Sequence, residues 1–301
     1  MRLATRILSA TVLSLAFCCV NANARVDTVR FQSNLLAATA PYNVILPPDY
    51  DSATTARYPV LYLLHGYTGH YSDWVSRTFV TDYAAQYRII IVTPEGNNGW
   101  YTNSATVSTD KYESYILNEL IPDVEKQYRT IEAKYGRAIA GLSMGGYGAI
   151  KFGLKAPGTF ALAASMSGAV GVTKFTEAEV GGKDRLQELV KVFGEVGSET
   201  RKANDLFDII NALTPERIAS LPYFYFDCGT EDVPLIFKYN VDLAKLMKDK
   251  KIPHEYRQLP GDHSWAYWDQ QIQPILQILS QKLRVPPSPP AKPAAKRPDG
   301  A

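Results

Sequence analysis

Short runs of apolar residues alternate with amphipathic segments along most of the chain. Two of the segments, residues 116–128 and 236–247, carry apolar side chains at helical spacing. The runs are nearly continuous in apolar residues, which is typical of strands that are buried on both faces of a sheet. They cover residues 60–64, 89–92, 138–142, 161–164 and 223–226. Strands that alternate with helices predict an α/β fold with helices on both faces of a mostly parallel central sheet.

The flanks of this pattern differ from its middle. Residues 26–32 and 42–46 mix apolar residues with turn formers, which favours antiparallel edge strands. An amphipathic segment at 265–283 closes the pattern, and Pro274 within it predicts a kink or a break. Between residues 168 and 221 a charged stretch with several glycines interrupts the alternation. We interpret this stretch as a helical insertion over the C-terminal edge of the sheet.

The first residues have the pattern of a signal peptide. Two arginines precede an apolar run at residues 7–20, and Ala-Asn-Ala at 22–24 provides a cleavage pattern, so residues 1–24 are predicted to be removed on export. A membrane anchor is the alternative, but the run is shorter than the roughly 20 residues that span a bilayer. Cys18 and Cys19 lie within the run, where a lipid-anchored precursor would use one of them. The bulky residue before them disfavours this alternative.

The mature chain is predicted to consist of one domain at 25–284 and a tail. Residues 285–301 contain six prolines and few large apolar side chains, which predicts an exposed, disordered segment. We expect the protein to be secreted or periplasmic, without membrane insertion after the signal is removed. Cys228 is then the only cysteine, so no intramolecular disulfide forms. A small buried hydrophobic side chain is the preferred interpretation of Cys228, rather than a reactive thiol.

Composition and charge limit the classes of partner. The chain of 301 residues is 46% hydrophobic and 21% charged, as in ordinary globular proteins. Its net charge of +2 comes from the signal segment and the tail, which leaves the predicted domain slightly acidic. Nucleic acid is therefore not an expected partner. The oligomeric state stays open.

One motif has the context of a nucleophile elbow. The sequence GLSMGG at 141–146 follows the apolar run 138–142 and opens a helix-compatible stretch at 147–155. A serine hydroxyl is a weak nucleophile at neutral pH, so a tight turn must present Ser143 to a base. The glycines on either side leave room for that turn. The alternative is a glycine-rich strand–helix turn in which the serine caps the helix.

Acyl transfer also needs N–H donors for the oxyanion. The N–H of Met144 follows the nucleophile, and the sequence HGYTG at 65–69 follows the run 60–64, so the N–H of Tyr67 is the predicted second donor. His65 precedes the nucleophile in the chain. We therefore interpret it as an imidazole that fixes the loop rather than as the base.

His263 is the predicted base. Of the four histidines, His70 lies in a polar loop and His254 begins an extended run. His263 lies in GDHSW at 261–265, between a late strand and the last helix, where the hydrolase fold places its base.

The predicted acid lies in the loop after the run 223–226. Two neighbouring carboxylates, Glu231 and Asp232, stand in this loop, whereas Asp227 is still close to the strand. We prefer Asp232. The chain order Ser143, Asp232, His263 is the hydrolase order.

Five separate motifs together resemble the putative esterase family of α/β-hydrolases. They lie at residues 42–50, 58–69, 141–148, 228–232 and 261–268, within a similarity that covers about residues 30–280. The family includes S-formylglutathione hydrolases, feruloyl and acetylxylan esterases, tributyrin esterases and mycolyltransferases. The resemblance implies an α/β-hydrolase fold and a triad of Ser143, Asp232 and His263. It also implies oxyanion donors at Tyr67 and Met144. From its place over the C-terminal edge of the sheet, we expect the helical insertion to lie near the active site.

A loop after the run 89–92 bears on the substrate. The sequence PEGNNGWY at 94–101 lies at the predicted substrate edge, where Trp100 and Tyr101 either stack on a sugar or phenolic ring or pack within the loop. The export signal makes the chain look more like the secreted esterases of the family than the formylglutathione hydrolases. Nothing in the sequence marks a long groove for mycolyl lipids.

These features predict a serine carboxylesterase that works through an acyl-enzyme. The expected substrate is a small-molecule or carbohydrate-linked ester with a short-chain acyl, acetylated-sugar or feruloyl group. Alternatives are an acyltransferase, a thioesterase like S-formylglutathione hydrolase, and a secreted binding protein without catalysis. No metal or cofactor is expected, because His and carboxylate residues do not cluster at ligand spacing and no G-x-G-x-x-G follows the first strand.

Overall fold

An eight-stranded sheet crosses the centre of the structure, a computed structural model that describes residues 24–283. The strands are β1 (Arg25–Ser33), β2 (Ala38–Leu46), β3 (Val60–Leu64), β4 (Ile90–Pro94), β5 (Arg137–Leu142), β6 (Leu162–Met166), β7 (Tyr223–Gly229) and β8 (His254–Leu259). Their order is β1-β2-β4-β3-β5-β6-β7-β8. Strands β3 to β8 pair in parallel, whereas β1 pairs with β2, and β2 with β4, in antiparallel fashion. The predicted parallel sheet with antiparallel edge strands is confirmed.

Among the described residues, helices lie between the strands and after β8 along the chain. They are α1 (Asp73–Arg77), α2 (Val80–Ala84), α3 (Tyr112–Tyr115), α4 (Ile121–Gln127), α5 (Met144–Lys155), α6 (Glu177–Val180), α7 (Lys183–Phe193), α8 (Glu199–Lys202), α9 (Leu206–Asn211), α10 (Pro215–Ser220), α11 (Pro234–Asp249) and α12 (Trp265–Lys282). A π-helical segment, Ile116–Leu120, joins α3 to α4. The predicted signal peptide (apart from Ala24), with Cys18 and Cys19, and the predicted tail lie outside the described residues.

Side chains that alternate along the strands form two hydrophobic cores. In β3, Val60, Tyr62 and Leu64 join one core with residues of α4, α5 and α11. Leu61 and Leu63 join the other core, which contains residues of α1, α2 and α12. Successive side chains of a strand point to opposite faces, so each buried strand anchors helices on both sides of the sheet. This arrangement holds the C-terminal ends of the strands in fixed positions.

Five short helices, α6 to α10, lie between β6 and β7. They confirm that the stretch predicted at 168–221 is helical.

Of the two alternatives predicted at Pro274, the break is wrong, because α12 runs without interruption from Trp265 to Lys282, whereas the kink stays a prediction. Proline removes one helix hydrogen bond. Here Ile272, Ile275 and Leu276 are fully buried on either side of it, so packing against the sheet holds the helix together.

Candidate active site

Ser143 lies on the sharp turn between β5 and α5. Its φ of 50° and ψ of −114° are outside the conformations that non-glycine residues prefer. A Cβ at Gly141 would lie 2.5 Å from the carbonyl carbon of Gly145, and a Cβ at Gly145 would lie 2.5 Å from the carbonyl oxygen of Leu64. Glycine at these two positions therefore permits the turn. The side chain of Ser143 makes no capping hydrogen bond to α5, which argues against the capping alternative.

The side chains of Ser143, His263 and Asp232 form a continuous hydrogen-bonded chain. The Nε2 atom of His263 lies 3.0 Å from the Oγ of Ser143, and its Nδ1 lies 2.9 Å from the Oδ1 of Asp232. A carboxylate only accepts, so Nδ1 carries the hydrogen and Nε2 is free to accept from the hydroxyl. Ser143 follows β5, Asp232 follows β7 and His263 follows β8. Because these strands are parallel, their carboxyl ends bring the three loops to one edge of the sheet.

Three carboxylates stand near the end of β7, and only one of them faces His263. Glu231 is exposed, whereas the side chain of Asp232 is 0% exposed. Asp227 is fully buried and accepts a hydrogen bond of 2.8 Å from the hydroxyl of Tyr267. Burial raises the pKa of Asp227 to about 7. Asp232, as predicted, is therefore the carboxylate that contacts His263.

Two N–H groups beside Ser143 are available to a ligand. Within residues 24–283, neither the N–H of Tyr67 nor that of Met144 has a hydrogen-bond partner. The loop that carries Tyr67 passes close to the serine, since a Cβ added at Gly66 would lie 3.6 Å from the Cβ of Ser143 and 2.6 Å from the Cδ1 of Leu142. The loop that carries one predicted oxyanion donor therefore passes beside Ser143, and the other predicted donor, Met144, directly follows Ser143 in the chain.

His65 controls the direction of the peptide between Gly66 and Tyr67. Its Nδ1 lies 2.8 Å from the carbonyl oxygen of Gly66. A carbonyl oxygen only accepts, so Nδ1 carries a hydrogen and donates to it. In a trans peptide the N–H points away from the C=O, so this bond directs the N–H of Tyr67 to the opposite side. The interpretation of His65 as a loop-fixing imidazole agrees with these contacts.

A buried carboxylate supports the same loop. The Oε1 of Glu95 lies 3.2 Å from the Nε2 of His65 and accepts from the N–H of Asn97 at 2.8 Å. Burial alone would raise the pKa of Glu95, but the interaction with His65 and the backbone N–H groups outweigh burial and hold that pKa at about 2. The loop after β4 is thereby tied to the loop after β3.

The adjacent aromatic residues Trp100 and Tyr101, which were the predicted candidates for substrate contact, have different environments in the structure. Trp100 is 8% exposed and lines a cavity at Ser143. Tyr101 is 0% exposed, and its hydroxyl donates to the carbonyl oxygen of His65 at 3.1 Å. Of the two alternatives for Tyr101, packing within the loop agrees with the structure, because its ring lies inside the protein and its hydroxyl holds the backbone of the loop after β3.

Two cavities meet at Ser143 and His263. One has a volume of about 300 Å³ and contains Arg77, Trp265 and Trp268 in its wall. The other has a volume of about 400 Å³, and its wall includes both apolar and charged side chains of the insertion, such as Leu189 and Arg185, together with Ile236 of α11. These wall residues were not predicted, although Trp265 belongs to the same motif as His263.

No group of three or more His, Cys, Asp or Glu side chains among residues 24–283 is placed to hold a metal ion. None of the helices in that range is long and apolar enough to span a bilayer.

Known proteins resemble this chain in both sequence and fold. A family model described as Putative esterase matches residues 33–279. An acetyl esterase of Caldicellulosiruptor saccharolyticus is 26% identical over 262 residues, which are 84% of this chain and 97% of that protein. Esterase Rv1288 of Mycobacterium tuberculosis is 33% identical over 256 residues, covering 78% of this chain and 54% of the relative, so the chain spans about half the length of that protein.

The solved structure of a ferulic acid esterase has a TM-score of 0.74 to this chain at 26% identity, over 87% of this chain and 99% of that one. The fold is therefore that of the α/β-hydrolases. The chain belongs to the putative esterase family and is an ester-hydrolysing enzyme.

Proposed function

We propose that the protein is a serine carboxylesterase in which Ser143 is the nucleophile, His263 the general base and acid, and Asp232 the orienting carboxylate. The hydrogen-bonded chain from Asp232 through His263 to the Ser143 hydroxyl carries this proposal. The unpartnered N–H groups of Tyr67 and Met144 support it, because they are donors that an oxyanion needs.

The reaction begins when the Oγ of Ser143 attacks the ester carbonyl carbon and Nε2 of His263 takes the hydroxyl proton. Negative charge develops on the carbonyl oxygen, which accepts from the N–H groups of Tyr67 and Met144. Asp232 stabilises the imidazolium through Nδ1–H. The C–O bond to the alcohol then breaks, and His263 donates its proton to the leaving oxygen.

Hydrolysis of the acyl-enzyme repeats these steps with water. His263 takes a proton from the water as its oxygen attacks the acyl carbon, and then returns that proton to the Oγ of Ser143 as the acid leaves. The two cavities support an ester as the substrate, because an ester extends in two directions from its carbonyl carbon. We propose short-chain acyl, acetylated-sugar or feruloyl esters, in keeping with the acetyl and ferulic acid esterases among the similar proteins.

Turnover of p-nitrophenyl acetate tests this function. We expect the wild-type chain to release p-nitrophenol, and Ser143→Ala to lose nearly all of this activity while its thermal unfolding stays similar. Ser220→Ala, at an exposed serine in α10, is the matched control and keeps full activity. A folded wild-type protein without turnover would favour the non-catalytic binding protein. Product analysis with added alcohol distinguishes hydrolysis from acyl transfer.

A further inference from the structure

A third cavity lies beside the 400 Å³ cavity at Ser143. It has a volume of about 370 Å³, and its wall contains polar side chains such as Asn97, Asn98 and Lys191. Ser143 and His263 are not part of this wall. Hereafter the 400 Å³ cavity is called the proximal cavity and the 370 Å³ cavity the distal cavity.

Three side chains line both cavities and therefore form the partition between them: Tyr67, Trp100 and Glu188. Trp100 is nearly buried, and its ring centroid lies 6.0 Å from that of Tyr67. Tyr67 is half-buried and Glu188 is exposed, so these two side chains have room to move.

A hydrogen bond joins Tyr67 and Glu188 within the partition. The hydroxyl of Tyr67, on the loop after β3, donates to the Oε2 of Glu188, on α7 of the insertion. Burial and this hydrogen bond raise the pKa of Tyr67 to about 12, so the phenol keeps its proton at neutral pH and remains a donor. The contact therefore links the loop after β3, which carries the predicted oxyanion donor Tyr67, to the insertion, which forms part of the wall of both cavities.

We propose that the Tyr67–Glu188 hydrogen bond determines substrate length: while it is formed, the proximal cavity ends at the partition, and when it breaks, the proximal and distal cavities form one continuous cleft. This inference rests on the proposed esterase function. A short ester fits beside Ser143 with the bond intact, whereas a longer ester must break the bond to enter the distal cavity. The contact therefore lowers activity toward long esters relative to short ones.

The test compares Glu188→Ala with wild type on two substrate series. One series lengthens the acyl part, as p-nitrophenyl acetate, butyrate and octanoate, and the other lengthens the alcohol part, as ethyl, butyl and octyl acetate. We expect the ratio of kcat/KM for the octyl or octanoyl ester to that for the shortest ester to rise roughly fivefold in one series. That factor corresponds to about 1 kcal/mol, the net worth of one hydrogen bond. Activity on the shortest ester should stay within about twofold.

Two further variants separate the hydrogen bond from other effects. Gln187→Ala, at the neighbouring exposed position of α7, is the matched control and should leave the ratio unchanged. Tyr67→Phe keeps the ring and the backbone N–H but removes the donor, so it should raise the ratio as Glu188→Ala does. The double variant should add little to either single change, because both remove the same interaction.

Several outcomes would overturn the proposal. Unchanged ratios in both series, or an equal fall for short and long esters, would assign Glu188 a structural role. A change in Glu188→Ala without one in Tyr67→Phe would show that side-chain bulk, not the hydrogen bond, sets the limit. If the wild-type enzyme hydrolyses esters but the variants leave the ratios of kcat/KM unchanged, this inference alone is contradicted. If the wild-type chain hydrolyses no ester, the proposed esterase function is contradicted as well.

Discussion

The sheet edge that carries Ser143, Asp232 and His263 is built differently from the insertion α6 to α10. At the edge, each side chain lies in the connection that follows a strand, and Ser143 is held in a strained turn by contacts that only glycine permits. The insertion consists of short helices, and α6 and α10 bury no residues. Its helix starts depend on local caps such as the Asp205 carboxylate, which accepts two N–H groups of α9.

Under the proposed function, this difference separates chemistry from specificity. Buried strands position the loops that carry the proposed reacting groups, whereas the insertion supplies cavity walls through side chains such as Leu189 and Glu188. Segments that connect elements over a sheet edge tolerate change better than the core does. We therefore expect substitutions at the edge to lower turnover on every ester, and substitutions in the insertion to change the ranking of esters.

The largest expected effect separates two neighbouring acids at the edge. Asp232→Asn removes the acceptor that orients His263, and the loss of a triad carboxylate lowers kcat by about 10⁴-fold. Glu231→Gln should change kcat by less than about twofold, because an exposed charge is screened by solvent and salt. Measuring kcat for both variants, with circular dichroism as the folding control, decides the assignment. A severe loss confined to Glu231→Gln would transfer the role to Glu231.

A smaller loss is expected when the oxyanion peptide loses its orientation. His65→Leu removes the donor to the Gly66 carbonyl, and loss of one oxyanion donor costs about 10²-fold or more in kcat. His65→Asn keeps an amide N–H near the position of Nδ1 and should recover part of that loss. In both variants KM should change by less than about threefold. Equal kcat values in the two variants would contradict the orienting role.

A methyl group added at a glycine of the turn at Ser143 should lower the free energy of unfolding by a moderate amount. Gly145→Ala would place a Cβ 2.5 Å from the backbone oxygen of Leu64, and such overpacking costs about 1–3 kcal/mol. Gly158→Ala is the matched control, because a Cβ there meets no atom within 4 Å. Denaturant unfolding of both variants measures the difference in the free energy of unfolding. Equal stabilities would mean that the turn has more room than the structure indicates.

The smallest expected effect is a pH dependence at Asp227. Burial raises its pKa to about 7 in the folded protein, above the value of about 3.9 in unfolded chains. The folded state then binds the proton more tightly, so this stabilisation is complete below about pH 4 and is lost as pH rises through 7. Asp227→Asn cannot ionise and should lose less stability than wild type between pH 6 and pH 8.

The difference should amount to a few degrees in Tm, as expected for a protein of this size. Exposed Asp208→Asn in α9 of the insertion is the control and should follow the wild-type profile. Parallel falls of Tm in wild type and Asp227→Asn would contradict a raised pKa.

Much of the sheet edge could be predicted from sequence because its constraints are local or periodic. The predicted strand at 60–64 matches β3, and the glycine spacing around Ser143 identifies the turn. The structure also brings Asp232 and His263 together, since parallel strands carry their following loops to one edge. The signal peptide, the export of the protein and the tail stay predictions.

The remaining features depend on contacts between distant segments. Trp100 and Tyr101 are adjacent and similar in chemistry, and only the contact of Tyr101 with His65 shows which of them turns inward. In α11, the polar residue Asn240 is fully buried, and its amide donates to the carbonyl oxygen of Gly168. The apolar pattern of the helix does not indicate this contact. The hydrogen bond between Tyr67 and Glu188 joins residues 121 positions apart, a pairing that no local pattern indicates.

The central claim is that Ser143 is the nucleophile, and covalent labelling with a fluorophosphonate tests it most directly. The probe reacts with an activated serine hydroxyl, and peptide mass spectrometry then locates the adduct. We expect one adduct per chain on the peptide that contains Ser143, loss of ester hydrolysis in step with labelling, and no labelling of Ser143→Ala. An adduct on a different serine that forms in step with the loss of activity would contradict the assignment.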